Sequence, residues 1–143
     1  MGSLARLRRL VLEAVDSSPE SPWESVAWQA AKSIIARAAA SCICRLTGCH
    51  VYLLDMHGGE PSEGLGGKDV DLAVECPGTT PSCSPRELED ALEAAAAEIL
   101  DKAVGGDARR MLKIPNIVEV HSADEFLIKR YVELGPPYSR PLC

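Results

Sequence analysis

The chain has 143 residues, 46% of them hydrophobic, which is enough for one domain with a real core and excludes a disordered chain. No apolar run approaches the roughly 20 residues needed to cross a membrane, and no long apolar segment follows the basic residues near the start, so the expected location is the cytoplasm. The net charge of −6 argues against broad nucleic-acid binding and leaves room only for a local basic patch.

Gln29 is the one glutamine and Asn116 the one asparagine. Scarcity of thermolabile amides marks hyperthermophile proteins, and it also fits a high-GC genome. Hyperthermophile cytosols tolerate disulfides, so the six cysteines are read as either paired or reduced.

In chain order, Leu4, Leu7, Val11, Leu12 and Val15 recur at helical spacing between Arg6, Arg8 and Arg9, which predicts a helix over 4–16. Ser21-Pro22-Trp23-Glu24 reads as a capping box, with proline at the first helical position. The Ala-rich run behind it predicts a long helix to Arg45, with Val26, Ala30, Ile34, Ala38 and Cys42 facing inward and Thr47-Gly48 ending it. Trp23 and Trp28 at its head are expected as core or interface anchors. Residues 49–54 read as a strand and 55–68 as a glycine-containing loop.

Residues 69–75 form a second expected strand, closed by Cys76-Pro77-Gly78. Ser84-Pro85-Arg86-Glu87 is a second capping box for a helix to Val104, with Gly105 just beyond its end. Residues 105–116 are expected as a basic loop or broken turn with Arg109, Arg110 and Lys113. Ile117 to His121 is a third expected strand. Ser122-Ala123-Asp124-Glu125 is a third capping box, opening a helix to Leu134, and the tail after Gly135-Pro136-Pro137 is expected to be extended. The order α-α-β-β-α-β-α implies an α/β or α+β domain, a small mixed sheet with helices packed on it. One domain spans 1–143: a helical N-terminal extension over 1–47, a core over 48–134 and a tail over 135–143.

The chemistry concentrates in Lys68-Asp69-Val70-Asp71-Leu72-Ala73-Val74-Glu75. Successive strand residues point to opposite faces, so Asp69 and Asp71 share one face. Two adjacent carboxylates repel, and a divalent cation between them is the usual compensation, hard cations preferring oxygen. Glu119, between Val118 and Val120, is a charge in the middle of an expected strand, on one face with Ile117 and His121. If that strand lies beside 69–75, three carboxylates converge in a set suited to two-metal phosphoryl transfer.

Other candidates compete with plainer readings. Cys42-Ile43-Cys44 with Cys49-His50 has zinc-type ligands, but Cys42 and Cys44 stand roughly 200° apart on a helix, so buried thiols or a disulfide are the simpler assignment. Cys76 and Cys83 flank a short loop and are one candidate pair. His121 is a structural histidine or a contact to a phosphate or to the third carboxylate, and His57 in the glycine loop is equally open. Arg109, Arg110 and Lys113 are a solvated loop or a guide for a phosphate-bearing substrate or an RNA end.

Over about residues 48–134 the sequence resembles the minimal nucleotidyltransferases of the DNA polymerase β superfamily, especially small archaeal members. Val51-Tyr52-Leu53-Leu54, the run from Gly64 to Val74, and Val118-Glu119-Val120-His121 followed by Glu125-Phe126 carry the resemblance. It implies that Asp69 and Asp71 are paired ligands for Mg²⁺ or Mn²⁺. Glu119 then helps hold the catalytic ion and activates the attacking hydroxyl. The implied reaction moves a nucleoside monophosphate from an NTP to a hydroxyl acceptor, with a helical partner protein or a second copy as a common companion. The family's phosphate-binding Gly-Ser falls at Asp55-Met56, where neither residue matches. Gly58, Gly59, Gly66, Gly67 and Lys68 are the candidate phosphate contacts in its place. The alternative is a nucleotidyltransferase-like subunit that binds without catalysing.

Overall fold

Leu7, Val11 and Ala14, spaced four and three residues apart, form the buried stripe of helix α1 (Gly2–Ser17). The structure is a computed structural model that describes residues 2–54, 56–57, 60–61, 69–76, 85–136 and 138–143. Ser21-Pro22-Trp23-Glu24 does not open the long helix. Pro22–Glu24 makes a short 3₁₀ turn, and the Ser21 hydroxyl donates to Glu24 at 3.0 Å instead of capping. Helix α2 (Val26–Thr47) begins one step later, where the Ser25 hydroxyl accepts the Ala27 N–H at 3.1 Å. Gly48 ends it in the left-handed region (φ 72°), its N–H bonded to the Cys44 carbonyl.

The inward face of α2 differs from the sequence expectation. Val26 is 71% exposed and Ala38 is exposed, while Ala27, Trp28, Ala31, Ile35, Ala36, Ala39, Ala40 and Ile43 are buried. An alanine-rich helix carries little directional signal, and the fully buried Trp28 sets its rotation. Alanines on that face let α1 and the next helix come close. Truncating Trp28 to alanine should cost about 3–5 kcal/mol.

Strand β1 is His50–Leu54, and β2 (Met56–His57) and β3 (Glu60–Pro61) form a two-residue antiparallel pair. Strand β4 is Val70–Glu75, helix α3 is Pro85–Val104 and a short helix α4 is Ala108–Leu112. Strand β5 is Val118–Ser122, helix α5 is Phe126–Leu134 and β6 is Ser139–Pro141. The third capping box is displaced: Ser122 still belongs to β5, and Glu125 occupies the N-cap of α5 without a side-chain cap bond.

The main sheet runs β5-β4-β1-β6. β1 pairs antiparallel with β4 and with β6, and β5 pairs parallel with β4. A parallel neighbour needs a crossover, which α3 and α4 supply. The architecture is mixed α/β. Val51, Val70, Leu72, Val74 and Val118 face α1, α2 and α3 in one core, so the N-terminal helices are part of the body that supports the sheet. Leu54 and Ala73 face the other side, with Ile128 and Tyr131 of α5.

Among the described residues, the β5 edge meets no further strand. Its outward N–H groups are taken by two glutamates one turn apart on α3. Ile117 and Val118 donate to the Glu93 carboxylate at 2.7–2.9 Å, and Val120 donates to Glu89 at 2.9 Å. Arg109 of α4 pairs with Glu93 at 3.1 Å. Side chains thus satisfy an edge that would otherwise be open to another chain.

Cys49 is paired with Cys76, and Cys44 with Cys143. This replaces the Cys76–Cys83 pairing offered by the sequence and removes Cys44 and Cys49 from the zinc alternative. Register explains the first pair: His50 stands opposite Glu75, so the next positions outward on the β1–β4 ladder are Cys49 and Cys76.

Candidate metal centre

Register assembles the site. Asp71 stands directly beside Glu119 in the parallel β4–β5 pair, and Ala73 beside His121. On the other side of β4, Leu54 is opposite Asp71 and Tyr52 opposite Ala73. Neighbours in register share a face, so Asp71, Glu119 and His121 emerge on the side away from α1, α2 and α3. Val70, Leu72 and Val118 point into the helical core and anchor both strands. Asp69 stands just before β4, where the charges of Asp71 and Glu119 act on its carboxyl.

The side chains converge. The Nε2 of His121 is 3.3 Å from the Asp71 carboxylate and 3.9 Å from that of Glu119. One ligand atom from each of the three lies within 4.8 Å of those of the others. Asp71 is 8% exposed, Asp69 half-buried and Glu119 open to solvent. A deeply placed carboxylate beside an accessible one suits an ion held from below and approached from above.

Electrostatics report the crowding. Burial pushes the Asp69 carboxyl up to about 6; the charges of Asp71 and Glu119 add to this, Lys32 opposes it, and a carboxyl–carboxyl hydrogen bond to Glu119 contributes. His121 is raised above the usual imidazole range, first by its hydrogen bond to Asp71 and then by the charges of Asp71, Glu119 and Glu125, against the opposing effect of burial.

Lys32 has no counterpart among the sequence candidates. It is 5% exposed on α2, and its Nζ donates to the Asp69 main-chain carbonyl at 3.0 Å. A lysine inside an alanine-rich helix reads as a solvated residue from sequence, and only the docking of α2 under the start of β4 gives it this role. Glu89 and Glu93 were equally hidden: their N–H partners flank Glu119 and fix the segment that presents it.

The remaining candidates divide. Gly58, Gly59, Gly66, Gly67 and Lys68 lie outside the described residues, as do Asp55, Cys83, Ser84 and the side chains of Cys42 and His57. Arg109, Arg110 and Lys113 do not join the carboxylates. They belong to α4 and its C-cap, which pack with α1 and α3 on the far side of the sheet, and Arg109 and Lys113 pair with Glu93 and Glu20. His50 is exposed at the outer end of β1, next to the Cys143 carbonyl. No helix among the described residues is long and apolar enough to cross a membrane. Neither a protein-family model nor any curated protein or solved structure matches the chain.

Proposed function

We propose that the chain is a metal-dependent nucleotidyltransferase that moves a nucleoside monophosphate from an NTP to a hydroxyl acceptor. The in-register pairing of Asp71 with Glu119 carries this reading, because it puts a second strand carboxylate beside Asp71, within charge range of Asp69. The donor set fits a hard divalent cation. Burial, and after it the charges of Asp71 and Glu119, raises the Asp69 carboxyl to about 6, and an ion among the carboxylates would relieve the repulsive part. When bound, Mg²⁺ or Mn²⁺ neutralises phosphate charge and lowers the pKa of the attacking hydroxyl.

Asp69 and Asp71 would hold the ion at the start of β4, where Val70 and Leu72 are locked in the core. Lys32 holds the Asp69 main chain from below. Glu119, the most accessible of the three, would receive the proton of the acceptor hydroxyl. The rest of the catalysis is positioning and charge stabilisation. The test is to titrate the four NTPs with and without Mg²⁺, and then follow transfer of labelled nucleoside monophosphate. Mg²⁺-dependent binding and transfer lost in Asp71→Asn is the expected result. NTP binding indifferent to both metal and Asp71 sinks the proposal.

One observation favours a second reading, a non-catalytic subunit acting through a helical partner or a second copy. Asp55-Met56 follows directly on β1, where a phosphate-gripping Gly-Ser belongs in the family the sequence resembles. On this reading the protein binds divalent metal, transfers nothing and co-purifies with its partner.

A further inference from the structure

The geometry points to His121 as a nitrogen ligand of the same ion, which makes the centre a mixed nitrogen–oxygen site selective for Mn²⁺ or a related first-row metal over Mg²⁺. This rests on the reading of the carboxylate cluster as a metal centre and adds to it a ligand that the resemblance does not supply. Nε2 of His121 is 3.3 Å from the Asp71 carboxylate and 3.9 Å from the Glu119 carboxylate. A histidine paired with one carboxylate in a charge-assisted hydrogen bond sits at about 2.7–2.9 Å. Here the Asp71 contact is a long hydrogen bond, and the same nitrogen is also within reach of the Glu119 carboxylate. Donor atoms that share one divalent ion at about 2.0–2.2 Å each lie roughly 3–3.5 Å apart; the 3.3 Å His121–Asp71 contact has that spacing, and the exposed Glu119 carboxylate, at 3.9 Å, would have to draw in to join them.

Register explains how the ring reaches this point. His121 is beside Ala73 across the β4–β5 pair, and a methyl group leaves the imidazole room to lean toward the neighbouring row, that of Asp71 and Glu119. The His121 side chain is 16% exposed and that of Asp71 is 11%, so both are held in place, while Glu119 is 52% exposed. Imidazole suits Fe²⁺, Ni²⁺, Cu²⁺ and Zn²⁺, and Mn²⁺, though content with carboxylates, accepts a nitrogen ligand more readily than Mg²⁺, which prefers oxygen alone.

The experiment is Mn²⁺ binding followed by electron paramagnetic resonance, with pulsed detection of nitrogen coupling, on the full chain. Expected are one saturable Mn²⁺ site lost in Asp71→Asn and a ¹⁴N modulation from histidine that changes when the protein is grown on ¹⁵N-histidine. His121→Gln should abolish that modulation and weaken Mn²⁺ about 10–100-fold, while Mg²⁺ affinity changes less than about threefold. If His121→Gln does not fold, the ¹⁵N-histidine spectrum of the wild type decides, with His50→Gln and His57→Gln retaining the signal. Saturable Mn²⁺ binding with no histidine nitrogen, or a signal that disappears with His50 or His57, overturns the ligand assignment and leaves the carboxylate centre standing. Absence of any saturable site overturns both.

Discussion

Glu119 is held beside Asp71 by the main chain on each side of it. The N–H of Val118 and the N–H of Val120 are bound by Glu93 and Glu89 of α3, while the Asp71–Glu119 pairing joins β5 to β4. A helix on one face of the sheet thereby fixes a carboxylate that projects from the other. Stability and site geometry are coupled through two glutamates that stand apart from the carboxylate cluster.

Glu93 is accordingly the most sensitive of the helical glutamates. Its carboxylate accepts the N–H groups of Ile117 and Val118 and pairs with Arg109. Glu93→Ala leaves two partly buried donors unsatisfied, and chemical denaturation should show a loss of about 2–3 kcal/mol. Glu93→Gln keeps one acceptor and should lose about 1 kcal/mol. Glu89→Ala, with one N–H partner, should also fall near about 1 kcal/mol. The Arg109 pair adds little, because both groups reach solvent. If Arg109→Ala costs as much as Glu93→Ala, the clamp is electrostatic and not a set of main-chain hydrogen bonds.

Asp71→Asn should act oppositely with and without metal. Removing one of three crowded carboxylates relieves repulsion, so the metal-free variant should melt at or above the wild-type temperature. Mn²⁺ or Mg²⁺ should raise the wild-type melting temperature in proportion to ln(1 + [L]/Kd) and leave Asp71→Asn nearly unchanged. Differential scanning fluorimetry across a metal series checks this, and equal shifts in both proteins would remove the argument for a specific site.

The pH dependence has a definite sign. Asp69 is raised from 3.8 to about 6, so the folded state holds its proton more tightly than the unfolded state. The stability this contributes is fully present below about pH 4 and is lost as pH rises through about 6. His121 is also raised, and its contribution is present below the ordinary imidazole range and lost above it. The metal-free protein should lose the Asp69 contribution between about pH 4 and 6 and the His121 contribution above the ordinary imidazole range. Metal competes with those protons, so its stabilising effect should be small near pH 5 and grow toward neutrality. Melting curves with and without Mn²⁺ at four pH values read both trends; a metal effect independent of pH contradicts the assignment of Asp69.

Lys32→Met tests the support from below. Its Nζ charge lowers the Asp69 pKa and its N–H holds the Asp69 carbonyl. Methionine keeps the length and apolar stem but removes the cation. Carboxyl NMR titration should show Asp69 moving further up, and Mn²⁺ affinity should fall about three- to tenfold. An unmoved Asp69 would mean that the lysine acts on packing alone.

The three principal strands are legible in the sequence because their apolar runs are short and bounded, and the observed β1, β4 and β5 begin within one residue of expectation. Strand period predicts a shared face for Asp69 and Asp71, but β4 begins at Val70, so Asp69 meets the others from just before the strand. That Glu119 is their neighbour requires β5 to pair parallel to β4, which no local pattern specifies. The inward face of α2 is not legible, because alanine buries at small cost in any direction and leaves Trp28 to decide. Lys32, Glu89 and Glu93 stay hidden because a charge on a helix reads as solvated until its long-range partner is known. Cys49 and Cys76 become an evident pair only once the β1–β4 register is fixed.

Asp55-Met56 offers a gain-of-function test. Leu54, the final residue of β1, stands opposite Asp71, so the strand ends beside the row that carries the carboxylates. On the nucleotidyltransferase reading, position 55 falls in sequence where the resembled family has its phosphate-binding Gly-Ser, and a carboxylate there would repel an NTP. At the intermediate dielectric of a cleft this costs about 1–2 kcal/mol, or roughly tenfold in affinity. Asp55→Gly with Met56→Ser removes that charge, lets the main chain come close and adds a hydroxyl donor. The double variant should therefore bind NTP about tenfold more tightly in the presence of Mg²⁺, and far less so in an Asp71→Asn background, where the ion that bridges protein and phosphate is weakened. Calorimetry of all three proteins, with and without Mg²⁺, separates the cases. A tenfold gain that requires Asp71 places the nucleotide on this face. No gain, together with measurable transfer by the wild type, means that the phosphates are gripped elsewhere in 55–68. No gain and no transfer, together with a co-purifying partner, selects the binding-subunit reading.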